Sequence, residues 1–295
     1  MLHGRRFLPV DICDGWTRFF MSASNIPVPM GFKDQLSGQI PEDLLPLLTG
    51  HYDVIGSVAV LAIPPELEDF RFIIADAILS HRHSIKTVLN KTSSVQGNSR
   101  TARYEILTGT DTITTCREYG FSYTFDVLTS FYNSRLQSER KRVSGQVLPG
   151  EDVLVPFAGV GPFVVPAAAR GARVVAIEQN PEAFRWLKEN IRKNDVEDRV
   201  TAVLGDAFDT SLLIRPGFDR VIIPTPYGMD AILENLEPYV KQGGMVHFYT
   251  FRNKRQVAEL AGELGGRGFE PVCTRRCGNV APGVSRWVFD LMKRS

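Results

Sequence analysis

Cysteine is scarce in this chain: four in 295 residues, scattered at Cys13, Cys116, Cys273 and Cys277. That leaves no disulfide framework. The nearest pair, CTRRC from Cys273 to Cys277, has the wrong spacing for a CxxC zinc half-site and no matching second pair. Reduced structural thiols and no metal are expected. Long hydrophobic runs are missing too; the longest are strand-sized, so no segment is expected to span a bilayer. The N-terminal MLHGRRFLPVDICDG has two arginines but no apolar core of signal-peptide length behind them, so a cytoplasmic chain is expected. An excess of one charge is also absent, the formal net charge being +1. Only local patches can therefore speak for or against nucleic acid. The basic residues do cluster, in HRHSIK (81–86), RLQSERKR (135–142) and CTRRC (273–277). Any one of these alone reads as a solvated face. No internal repeat or low-complexity tract is present.

What the sequence does contain is a repeated strand–turn–helix pattern from Val153 onward. VLVPF, RVVAIE, RVTAVL, FDRVIIP, GGMVHFYTF and WVFDLMK read as strands. PFVVPAAARG, PEAFRWLKENIRKN, YGMDAILENLEPYVKQG and QVAELAGELGGRG read as the helices between them. Such alternation predicts a largely parallel, doubly wound sheet. The first half differs. HYDVIGSVAVLAI has the pattern of a hairpin turning near Gly56, LEDFRFIIADAILSH of a helix, and SIKTVLNK of a strand. TARYEILTG and TITTCREYGFSYTFDV alternate apolar and polar residues as antiparallel strands do. The expected organisation is a lead-in over 1–45, a small α+β domain over 46–148 and a Rossmann-like α/β domain over 149–295. The turn in QVLPGED (146–152) marks the boundary.

In a parallel sheet the ligand crevice lies beyond the C-terminal strand ends. Ala158, Gly159 and Gly161 sit where the first strand of the second half ends, and glycine lets the backbone approach a ligand closely. Glu178 ends the next strand, placed to accept from a ribose diol. Gly205, Asp206 and Ala207 end the third, where a carboxylate beside backbone amides could read an adenine edge. The dinucleotide fingerprint G-x-G-x-x-G is not met: the turn reads AGVGPF, with Phe163 at the third glycine. An adenosine ligand without a pyrophosphate fits better, and S-adenosylmethionine is the common one. Phe157, Gln179 and Pro224 complete the expected cofactor contacts. Val155 stands where most such strands carry an acid.

PFAGVGPFVVPAA and AIEQNPEAFRWLKENIRKNDVEDRV, together with YDVIGSVAVLAIPPEL, IKTVLNK, GNSRTARYEILTG, FYNSRLQSERKRV and APGVSRWVFDL, resemble the archaeal and eukaryotic family that modifies guanosine 37 of tRNA. The resemblance covers roughly residues 40 to 295. It implies a class I S-adenosylmethionine methyltransferase domain and a tRNA anticodon stem-loop as partner, with no membrane and a monomeric chain. One branch of that family methylates N1 of guanine, and the other transfers the aminocarboxypropyl group in the wyosine pathway. The methyltransferase branch is favoured here by GVGPF and SRLQSER. By resemblance, Glu139 would take the N1 proton, and Arg100 or Arg103 would stabilise charge on O6. Arg135, Arg140, Lys141 and Arg142, then Lys86 and Lys91, are the expected tRNA contacts, with Phe131 and Tyr132 as stacking surfaces. At the end of the fourth strand the family's asparagine motif is replaced by Pro224-Thr225-Pro226-Tyr227. Thr225 and Tyr227 are expected to supply the replacement contacts. A tRNA-binding paralogue without chemistry is a further reading.

Overall fold

The computed structural model describes residues 31–93, 102–213 and 217–294. The first part is built on β1 (Asp53–Ile55), β2 (Val58–Leu61), α1 (Arg71–His81), β3 (Thr87–Lys91) and β4 (Tyr104–Thr108). They form a four-stranded sheet in the order β1-β2-β3-β4. β1 and β2 are the expected hairpin, turning at Gly56. β2 and β3, in contrast, run parallel, with α1 as the crossover, so this sheet is mixed rather than antiparallel throughout. From residue 31 the expected lead-in is part of the same core. Phe32, Leu36, Ile40 and Leu48 are buried against Ile74 and Ile78 of α1.

β5 (Ile113–Glu118) and β6 (Phe121–Asp126) make a separate hairpin. Its turn residues Tyr119 and Gly120 both have positive φ, the twist that a two-residue hairpin loop requires. The hairpin is tied to α4 (Pro181–Lys193) by two asparagines. Asn190 Oδ1 accepts from Thr124 N at 2.7 Å, and its Nδ2 donates to Thr124 O at 3.1 Å. Asn194, just past the helix, does the same with Ser122 at 2.9 and 2.8 Å. Four residues of helix rise about 6 Å, and two residues of strand span roughly 6.7 Å. The two amides are thus in step with the strand edge and stand in for a missing strand. The hairpin and α2 (Gln137–Ser144) therefore pack with the C-terminal part of the chain, although they precede the turn at 146–152.

The second part is one seven-stranded sheet of β7 (Asp152–Pro156), β8 (Arg173–Glu178), β9 (Val200–Leu204), β10 (Phe218–Ile223), β11 (Val240–Arg252), β12 (Phe269–Ala281) and β13 (Val284–Lys293). The spatial order is β12-β13-β11-β10-β7-β8-β9. β7 to β11 pair in parallel, whereas β13 is antiparallel to both of its neighbours. The order in which strands are added reverses between β7 and β10, the position at which such sheets open a crevice. Helices α3 (Val164–Ala169), α4, α5 (Ile232–Leu236) and α6 (Lys254–Gly266) connect the strands. The helix expected over 227–243 shrinks to α5 and a single 3-10 turn, Glu237–Tyr239. Pro238 has no N–H to continue the helix. β12 was not expected: it is polar, contains Pro271 and Gly278, and has three register shifts against β13. Such an edge strand lacks the alternation by which strands are recognised. Among the described residues no helix is long and apolar enough to cross a membrane.

Candidate functional site

The β7–α3 turn is held open by backbone conformations that only a few residues adopt. Gly159 and Gly161 have φ of 57° and 95°, and a Cβ on Gly161 would lie 2.9 Å from Leu187 Cδ1. Glu178, at the end of β8, fastens this turn to the next one. Its Oε2 accepts from Gly159 N at 2.7 Å and its Oε1 from Asn180 N at 2.8 Å. Asn180 in turn caps α4, accepting from Glu182 N at 3.0 Å, and donates to Thr129 O at 2.9 Å. The result is a cleft beyond the strand ends. Phe157, Ala158, Gly159, Glu178, Gln179 and Pro224, all expected cofactor contacts, line it, and so does Thr225. Gly161 supports the turn from behind. Asp206 is exposed at the end of β9, its Oδ1 accepting from Phe208 N at 3.0 Å. Neither Asp206 nor Ala207 lines the cleft. Nearby, the rings of Phe157 and Phe208 lie 6.3 Å apart.

The segment from β6 to α2 supplies the opposite wall, through Phe131, Tyr132, Asn133, Leu136 and Arg140. Arg140 was expected to face tRNA; instead it is 3% exposed and forked onto Glu118. Its Nε donates to Glu118 Oε2 at 2.7 Å, and its Nη2 reaches Glu118 Oε1 and, at 3.0 Å, Asn133 O. The Tyr132 hydroxyl donates to the same carboxylate. A guanidinium placed there is desolvated and paired within the fold rather than presented at the rim. Arg142 is a second correction. It is bidentate on Asp290 and donates from Nε to Glu139 Oε2 at 3.0 Å. Asp290 also accepts from His247 Nδ1 at 2.7 Å. His247 Nε2 lies 2.7 Å from Arg220 Nη1, and Arg220 pairs with Glu151. Asp290 is held well below the usual carboxylate range by these hydrogen bonds and charges, against the effect of burial. Burial pushes His247 down, and it is neutral.

Glu139 lies in this buried network. Its carboxylate takes Arg142, Arg275 Nε at 3.2 Å and the Tyr249 hydroxyl at 3.3 Å. It does not line the cleft; Tyr249 does, standing between Glu139 and the cavity. Arg103 is exposed at the start of β4 and lines neither cavity, its backbone N donating to Ser93 Oγ at 2.9 Å. Arg100 and Cys13 lie outside the described residues. A wider groove of about 2570 Å³ opens beside the cleft and shares Phe131, Tyr132, Asn133 and Arg286 with it. Lys91, Arg135 and Tyr227 of the expected contacts line this groove. Arg135 is exposed and meets Asp53; Tyr227 is 74% exposed, its ring 5.4 Å from Phe251. Lys141 is exposed with its ammonium 4.5 Å from the Tyr119 ring, and Lys86 is exposed outside the groove. Tyr249, Asn133 and Arg286 were not singled out from sequence. Tyr249 and Arg286 meet partners far along the chain, Glu139 and Phe251, which give no local signal. Among the described residues no cluster of metal-ligating side chains occurs. Of the cysteines, Cys116 is buried, and burial pushes its thiol up to about 11.

The strand order, the single antiparallel β13 and the glycine turn over the crevice define the class: a Rossmann-like class I S-adenosylmethionine methyltransferase fold preceded by a smaller α+β part. The family model for the TRM5/TYW2 methyltransferase domain matches residues 114–264, and that for the TYW2 N-terminal domain matches residues 32–112. The chain belongs to the TRM5/TYW2 family. It is 33% identical to tRNA (guanine(37)-N(1))-methyltransferase Trm5b of Pyrococcus abyssi, over 77% of this chain and 70% of that protein. It is 34% identical to tRNA(Phe) (4-demethylwyosine(37)-C(7)) aminocarboxypropyltransferase of Pyrococcus horikoshii, over 88% of this chain and 95% of that protein. Among solved structures, the complex of aTrm5 with tRNALeu superposes with a TM-score of 0.81 at 26% identity, covering 90% of this chain and 78% of that one. Pyrococcus horikoshii TYW2 in complex with MeSAdo does so with a TM-score of 0.73 at 30% identity, covering 90% and 98%.

Proposed function

We propose that this chain is an S-adenosylmethionine-dependent transferase that modifies guanosine 37 of tRNA. The observation that carries this is the shared wall of Phe131, Tyr132, Asn133 and Arg286. It joins the cleft beyond the strand ends to an open groove bearing Lys91, Arg135 and exposed Tyr227. The cleft suits an adenosyl group. Glu178 ends β8 at the cleft wall, its carboxylate accepting from the Gly159 and Asn180 backbone amides, where the ribose of an adenosyl group would lie. Phe157 and Ala158 offer apolar surface, and Phe163 stands where a dinucleotide-binding turn carries its third glycine. When bound, S-adenosylmethionine supplies an electrophilic carbon on a sulfonium. The protein's part is to orient that carbon, exclude water and present the flipped base. Lys91, Arg135 and Lys141 supply the phosphate contacts, and the tRNA-facing part is residues 31–93 and 102–112 together with the groove rim. The chain acts as a monomer on the anticodon stem-loop.

N1-methylation is the activity named for several relatives, including the Trm5b protein above. Aminocarboxypropyl transfer is the second reading, and specific observations favour it. The N-terminal match is to the TYW2 domain, and the aminocarboxypropyltransferase relative is covered almost end to end. Pro224 and Thr225, which replace the asparagine motif that the resemblance implies, line the cleft. Glu139 is turned into an ion-pair network rather than toward the acceptor. In this reading the Cγ–S bond breaks, methylthioadenosine leaves, a carbon–carbon bond forms at the base and the base loses a proton. The test uses a G37 transcript and a tRNA carrying the tricyclic wyosine precursor. Each is incubated with S-adenosylmethionine labelled in the methyl or in the carboxyl group. Methyl label in the G37 transcript supports N1-methylation, and carboxyl label in the precursor tRNA supports the second reading. No transfer to either refutes the proposal.

A further inference from the structure

The cleft and the groove meet at one unusual side chain. Among the described residues three arginines are buried: Arg140, Arg220 and Arg286. The first two have carboxylates, Glu118 and Glu151. Arg286, on β13 and 8% exposed, has none among the described residues. The charges acting on it are the Cys277 thiol, the Tyr249 phenol and the Arg140 guanidinium, while burial is the larger influence and lowers its proton affinity. Its guanidinium lies 4.9 Å from the centre of the Phe251 ring. A cation–π contact offsets far less than the cost of desolvating a charge. Guanidinium nevertheless stays protonated in such a setting. Among the described residues the fold therefore supplies no carboxylate to neutralise this cation, which leaves it suited to an anionic ligand.

The position limits which ligand. Arg286 lines both cavities and sits where they join. Phosphates of a docked nucleic acid meet the rim first, where Lys91 and Arg135 stand. A buried fork at the inner junction suits a small planar anion arriving through the cleft. The cleft also has a polarity. Glu178, on β8, marks one end; β13 lies four strand spacings away in the sheet, about 19 Å. The C-terminal end of β7, which faces the cleft, adds no carboxylate, since Val155 is apolar and fully buried. The end opposite Glu178 is thus set for a negative group rather than an ammonium.

We propose that Arg286 receives the α-carboxylate of the methionine moiety of S-adenosylmethionine and holds the aminocarboxypropyl arm at the opening toward the acceptor groove. This rests on the cofactor reading above. It makes Arg286 a determinant of which substituent of the sulfonium faces the base.

The test is isothermal titration of the purified full chain with S-adenosylmethionine, S-adenosylhomocysteine, decarboxylated S-adenosylmethionine and methylthioadenosine. The last two lack the carboxylate. Wild type should prefer the first two over the decarboxylated probe by about 10- to 100-fold, the range for a charge-assisted pair. Arg286→Gln should weaken those two by the same factor and shift the other two by less than roughly threefold. Arg286→Lys keeps the charge and should retain part of the preference; it carries the test if the glutamine variant does not fold. Equal weakening of all four probes by Arg286→Gln, or no weakening of any, overturns the assignment. Wild type binding all four equally overturns it too, while leaving the cofactor reading intact. Wild type binding none of them refutes the cofactor reading itself, and the assignment with it.

Discussion

His247 offers a stability prediction that follows from hydrogen-bond polarity alone. It is fully buried on β11, between Arg220 Nη1 and Asp290 Oδ1, each at 2.7 Å. An arginine can only donate, so Nε2 must accept, and Nδ1 carries the hydrogen that goes to Asp290. Protonating Nε2 would oppose two donors and add a buried cation beside Arg220 and Arg142. Burial lowers the affinity of His247 for a proton, with those two arginines in the same direction and Asp290 opposing. With the folded value depressed, the unfolded chain binds a proton that the native state refuses. The contribution is therefore fully present above the unfolded value of about 6.5 and is lost as pH falls below it. From pH 7.5 to 5.5 the loss reaches up to about 1.4 kcal/mol, one pH unit below that value. For a chain of this size that is roughly 3 to 5 °C in melting temperature. Thermal unfolding would be followed by circular dichroism at pH 7.5, 6.5 and 5.5 in wild type and His247→Asn. Asparagine keeps a donor toward Asp290 but cannot titrate. The wild type should lose this extra increment relative to the variant on acidification. Parallel pH profiles for the two proteins would refute the reasoning.

Glu118→Gln leaves Arg140 buried without its counter-charge and should cost about 3–5 kcal/mol in urea denaturation; a loss under about 1 kcal/mol would contradict the network. Arg135→Ala and Lys91→Ala should each weaken tRNA binding and reduce its log-salt slope by about one, read by fluorescence anisotropy. Arg142→Ala should lower stability and leave that slope unchanged, because its guanidinium is engaged by Asp290 and Glu139. Glu139→Gln should destabilise the fold, yet reduce transfer per folded molecule by less than about tenfold. A loss of roughly 100-fold or more, with an altered pH–rate profile, would return Glu139 to the role of general base.

How much of this was legible depended on the range of each interaction. The β7–α3 turn could be read because its requirement is local: glycine at positive φ where a Cβ would strike Leu187. Glu178 could be read because it ends an apolar strand beside that turn. The RLQSERKR run misled because charges at helical spacing ordinarily face water. Arg140 finds Glu118 22 residues away and Arg142 finds Asp290 148 residues away, and nothing local announces either pairing. The asparagines that carry the β5–β6 hairpin are similar, bonding 66 and 72 residues back to Thr124 and Ser122. β12 was missed for its irregular, polar edge character. The vacant counter-charge of Arg286 can be read only from the surroundings that folding brings to it.

The most direct measurement is nucleoside mass spectrometry of tRNA after incubation with this protein and S-adenosylmethionine. The released adenosyl product would be identified in the same reaction. The account predicts an added group at position 37 and at no other position. Methylthioadenosine as the product marks the second reading, and S-adenosylhomocysteine marks N1-methylation. Unmodified tRNA with both the G37 and the wyosine-precursor substrates, or modification at another position, would contradict it.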